Sequence, residues 1–103
     1  MVDLDFLASI QIFSIFTRPE LEAARALFRE VTFAKDDVVV RIGEPGDTFY
    51  VVLDGELEVW DASVPPRQTG TLRKGDFFGE MALLQGGKRT ATVKAARRAP
   101  LLA

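Results

Sequence analysis

The chain has 103 residues and 48% hydrophobic content, room for one small domain with a core of its own. It contains no cysteine and no histidine, which leaves disulfides, thiolate or iron–sulfur ligation and imidazole-held metal or haem without support. The net charge of −2 and a pI near 5.1 argue against nucleic-acid contact, although the charge is uneven, with 5 Lys/Arg against 12 Asp/Glu in residues 1–60 and 8 against 3 in residues 61–103. Charged residues interrupt every apolar run, so no membrane contact is expected. Met1 to Asp5 lacks the basic start of a secretory signal, which makes the expected location cytoplasmic.

Taken in order, Leu4, Phe6, Leu7, Ile10 and Phe13 fall near helical spacing and predict a helix with one apolar face packed on its own domain. Phe6, Ile12, Phe13, Ile15 and Phe16 are many apolar residues for one end of a chain. Part of that surface is expected to meet a further segment or a second subunit, which permits a homodimer without requiring one. Thr17 and Glu20 have the spacing of a capping box, and Pro19 falls in the first turn, where a missing N–H costs little. With Leu21, Ala24, Leu27 and Phe28 at helical spacing, a helix is predicted over 18–30.

Beyond Glu30 the period becomes two. Val31–Phe33 and Val38–Ile42 read as strands around a polar turn at 35–37. Gly43 to Asp47 reads as a tight loop shaped by turn chemistry alone. Thr48–Leu53 and Glu56–Trp60 flank Asp54-Gly55, a two-residue hairpin signal. Leu57 and Val59 point one way and Glu56 and Glu58 the other, a half-buried strand. The two glutamates have no nucleophile beside them and no reason for a shifted pKa, so they read as a solvated face rather than an acid–base pair. Trp60 reads as core or rim packing. Asp61 to Gly70, stiffened by Pro65-Pro66, is a surface loop connecting a hairpin; Thr71–Arg73 is a short strand into the turn Lys74–Asp76. The pattern by itself predicts a small antiparallel β domain with N-terminal helices.

Chemistry concentrates in Gly75 to Ala95. Gly79-Glu80 precedes a short apolar run, Met81–Leu84, about one helical turn long; Gly86-Gly87 breaks the chain, and Lys88-Arg89 leads into an alternating strand over Thr90–Lys94. A glycine before a short helix lets backbone approach a ligand and leaves N–H groups that favour an anion. The planar fork of Arg89 suits phosphate oxygens. Glu80 would be repelled by a phosphate but fits a hydroxyl donor next to one, so the stretch reads as a site for sugar plus phosphate. The competing reading is a simple Glu80–Arg89 ion pair across the turn.

Phe78-Gly79-Glu80-Met81-Ala82-Leu83, a spacer of Leu84 to Gly87, then Lys88-Arg89-Thr90-Ala91-Thr92-Val93 closely resembles the phosphate-binding cassette of the cyclic nucleotide-binding domain family. Lys88 departs from the proline of many members. The resemblance implies one domain over 1–103, with a helical segment at 1–30 and an antiparallel β-roll or jelly-roll barrel at 31–103 that carries the cassette at 75–95. It implies a ligand site of Phe78, Gly79, Glu80, Met81, Ala82, Arg89, Thr90 and Ala91. Phosphate would be held by Arg89 and by N–H groups near Ala82 and Thr90, and the ribose 2′-OH by Glu80. The hydroxyl of Thr90 leaves cGMP open, with cAMP slightly ahead. The lid helices with which the family follows its barrel are not expected within residues 1–103, an apparent truncation at the C-terminus, and Pro100 discourages a helix at that end. A sensor module regulating an effector outside this segment is therefore expected, not an enzyme, with cAMP or cGMP as ligand and no metal or other cofactor. A barrel that binds no nucleotide is the alternative. A sugar-phosphate isomerase on a related barrel would need metal ligands or an acid–base pair.

Overall fold

The computed structural model describes residues 2–46, 48–79 and 88–103. Helix α1 spans Leu4–Ser9, capped by the Asp3 carboxylate, which accepts from the Asp5 N–H at 2.9 Å. It stops at Ile10, whose backbone is extended, and a 3-10 turn follows over Gln11–Phe13. The predicted apolar face survives the break because its residues are three apart, a spacing both helix types keep on one side. Leu4, Leu7, Ile10 and Phe13 are all buried.

Helix α2 covers Arg18–Leu27 and starts as expected. The Thr17 N–H donates to Glu20 Oε1 at 2.8 Å and the Glu20 N–H to Thr17 Oγ1 at 3.4 Å, with Pro19 in the first turn. It ends three residues short of the predicted 30. Phe28 turns extended, its ring edge-on to Phe13 at 6.0 Å, and Arg29 exchanges backbone hydrogen bonds of 3.0 and 2.8 Å with Ala103. Strand pairing claims the residues that helical periodicity assigned to the helix.

Among the described residues eight strands follow: β1 Glu30–Phe33, β2 Val38–Val40, β3 Tyr50–Val52, β4 Glu56–Trp60, β5 Gln68–Arg73, β6 Phe77–Phe78, β7 Thr92–Ala95 and β8 Ala99–Leu102. They form two antiparallel sheets, ordered β1-β8-β3-β6 and β2-β7-β4-β5. The helices cover one face of the first sheet, and the second sheet covers the other. Alternation along each strand sorts the side chains. Val51, Phe77 and Leu102 join the helical cluster with Leu7 and Ile10, whereas Tyr50, Val52, Phe78 and Leu101 join Leu57, Val93 and Ala95 between the sheets.

The hairpin expected at Asp54-Gly55 is not formed. Its two arms, β3 and β4, lie in different sheets, and the turn is a corner between them. Val51 and Val52 are both fully buried, so β3 needs cover on both faces, which an arm of a half-solvated hairpin lacks. Gly55 sits at φ 85° against the Arg98 carbonyl and Ala99; Leu53 N–H donates to the Pro100 carbonyl at 3.0 Å. Pro100 itself stands in β8, where its missing N–H falls at the end of the short β3 pairing. The 61–67 loop does join a hairpin, β4–β5, and Trp60 lies at its rim, half-buried, with its indole N–H on Glu58 Oε1 at 3.2 Å.

Candidate functional site: a buried guanidinium beside a bare glycine

The fold brings together three chain segments: the loop after β2, the end of β6 and the start of β7. At the end of β6, Phe78 points between the sheets and stacks on Tyr50, rings 4.9 Å apart and 15° from parallel. That packing aims Gly79, which adopts φ 95°, a conformation only glycine takes without strain. A Cβ on Gly79 would meet the Thr48 carbonyl oxygen and lie 3.0 Å from Arg89 Nη1. The two residues sequence analysis paired as a phosphate site therefore face one another.

Arg89 is 8% exposed, the single buried charged residue among the described residues. Its Nη2 donates to the Thr48 carbonyl at 2.9 Å. Its backbone is fastened as well: Arg89 N–H donates to the Glu44 carbonyl, and Gly43 N–H to the Arg89 carbonyl, both at 2.8 Å. Lys88 pairs with Pro45 across the same contact. Among the described residues no carboxylate lies within ion-pair distance of Arg89. A cation taken out of water favours an anion nearby, and a guanidinium presents its donors in a plane that matches two phosphate oxygens.

Of the other expected site residues, Thr90 is exposed and Ala91 half-buried, both leading into β7, where Thr92 Oγ1 accepts from the Ile42 N–H at 3.0 Å. Glu80, Met81 and Ala82 lie outside the described residues. Sequence reasoning missed the part played by 43–48. That loop holds Arg89 through the carbonyls of Glu44 and Thr48 and the N–H of Gly43, groups every residue type carries, so its letters announce only a turn. No group of three or more acidic residues suited to a metal occurs among the described residues, and no described helix is long and apolar enough to cross a membrane.

A sequence model of the cyclic nucleotide-binding domain matches residues 30–103. The chain belongs to the cyclic nucleotide-binding domain family. It is 45% identical over 82 residues to a cyclic nucleotide-gated potassium channel of Mesorhizobium japonicum, covering 80% of this chain and 21% of the channel. It is 33% identical over 94 residues to a cAMP-dependent protein kinase regulatory subunit of Dictyostelium discoideum, covering 86% of this chain and 29% of that subunit. The regulatory domain of Toxoplasma gondii protein kinase A, solved with cAMP, superposes with a TM-score of 0.90 at 29% identity over 96% of this chain and 39% of that one. The chain thus spans less than a third of the two sequence relatives. The cyclic nucleotide-binding β-roll is shared with the structural neighbours. The family model begins at residue 30, yet the superposition takes in 96% of the chain, so it includes the helical layer.

Proposed function

We propose that this domain binds a cyclic nucleotide, cAMP ahead of cGMP, and regulates an effector outside the segment rather than catalysing a reaction. The observation that carries this reading is the buried Arg89 guanidinium, anchored on the Thr48 carbonyl and with the bare face of Gly79 against its Nη1. In this reading Arg89 takes the cyclic phosphate, with backbone N–H groups near Ala82 and Thr90 completing the anion site. Glu80 accepts the ribose 2′-OH and so prefers ribose to deoxyribose. Phe78, Met81 and Ala91 hold the cassette in place around these contacts, Phe78 through its stack on Tyr50. The printed names of the relatives, a nucleotide-gated channel and a cAMP-dependent kinase regulatory subunit, support the ligand class and the regulatory role.

Calorimetric titration with cAMP and cGMP, on the parent chain and on Arg89→Ala, tests the proposal. A charge-assisted hydrogen bond to phosphate contributes about 1.5–3 kcal/mol, so Arg89→Ala should weaken binding by about one to two powers of ten. The ratio of the two affinities reads the preference to which Thr90 contributes. Absence of saturable binding by the folded parent chain would leave Arg89 a structural role alone, that of tying the 43–48 loop to β7.

A further inference from the structure

We propose that Gly46 is a positioning residue of the phosphate site: its missing side chain is the space in which the Arg89 guanidinium lies. The ligand side of this inference rests on the cyclic-nucleotide reading above.

Glycines in this chain answer two different demands. Gly43, Gly55, Gly75 and Gly79 all have positive φ, the region that favours glycine for its backbone. Around Gly43 there is nothing within 4 Å of where a Cβ would stand, so turn geometry accounts for it fully. Gly46 is the reverse. Its φ is not in the left-handed region, so its backbone accepts any residue, but a Cβ there would land on Arg89 Nε, 2.6 Å from Cζ and 2.7 Å from Nη2. Nη2 is the atom that donates to the Thr48 carbonyl. A methyl at position 46 and that hydrogen bond exclude each other.

An arginine side chain often swings clear of such a clash, and this one has little freedom to do so. It is nearly fully buried, its backbone is fastened to Glu44 and Gly43 on the same loop, and Gly79 closes on Nη1 from another side. The guanidinium occupies a slot between two bare glycines, one just after β6 and one on the loop after β2. A side chain at 46 pushes the fork out of the plane in which it would meet two phosphate oxygens, so the ligand class that feels the change is a phosphate ester.

The test compares Gly46→Ala and Gly46→Val, each alone and combined with Arg89→Ala, by cAMP titration and by thermal melting without ligand. Affinity is expected to fall from Ala to Val, by at least about tenfold at Val, a change of ~1.4 kcal/mol. Melting temperature should fall in the same order. With Arg89→Ala present, where the guanidinium is gone, neither Gly46 substitution should lower affinity or melting temperature further. Parent-like behaviour of Gly46→Val, or losses of equal size with and without Arg89, would overturn the proposal. If Arg89→Ala binds cAMP like the parent, the cyclic-nucleotide reading fails instead. The melting comparison, which uses no ligand, still decides whether Gly46 makes room for Arg89.

Discussion

Arg89 and Gly79 depend on each other through the Thr48 carbonyl, which accepts from one and stands against the bare face of the other. Gly79→Ala should therefore act twice. An L-residue in the left-handed region costs about 1–2 kcal/mol, and the added methyl must also displace the loop that anchors the guanidinium. Urea unfolding should show a loss of at least that size, with cAMP affinity lost beyond what stability explains. Gly79 and Arg89 were legible in the sequence because each sits at a fixed place in a long ordered motif. Gly46 and Thr48 were not, since one acts through an absent side chain and the other through a carbonyl, and neither leaves a trace in residue type.

Among elements, α2 shows local code being obeyed. Thr17 and Glu20 form the box their spacing predicts, and the backbone hydrogen bond from Thr17, with help from its side chain, holds the Glu20 carboxyl below its ordinary value of 4.5. A carboxyl whose pKa is lower folded than unfolded adds stability above the unfolded value and loses it as pH falls through the folded one. Melting temperature should therefore drop as pH is taken down past 4.5. Glu20→Gln keeps an acceptor for the Thr17 N–H without a titrating group and should flatten that part of the profile, read by circular dichroism. The strands obeyed a less local code. Asp54-Gly55 carries hairpin letters, yet the burial of both Val51 and Val52 demands a partner layer on each face, and that demand outweighs the turn. The end of α2 fails for a similar reason, because Arg29 is worth more paired to Ala103 than as another residue of helix.

Across the whole molecule, three layers share one first sheet, and Leu101 lies at the centre of the inter-sheet cluster with no exposure. Leu101→Ala should cost about 2–5 kcal/mol, a large part of the ~5–15 kcal/mol that holds a domain of this size together. Chemical denaturation should show a much lower midpoint, and calorimetry a broadened or absent transition at 37 °C. Fold class was readable from alternation and turn signals. Sheet membership was not, since period two says which residues share a face and nothing about which strand lies alongside. Pro100 argued against a helix at that end, and it stands in β8 at a position where the fold has use for a residue lacking an N–H.

The place of β8 between β1 and β3 sets the order in which the domain is assembled. Glu30 pairs with Leu102 and Val51 with Leu102, so the first sheet has no middle until residues 99–102 have left the ribosome. Such distant pairings give a high contact order, and domains of this kind fold over milliseconds to seconds rather than microseconds. Until then a nascent chain carries β1 and β3 as open edges with Val51 and Val52 uncovered. Its hazard is aggregation during synthesis, and the strand that ends the hazard is the last of the described strands to be made.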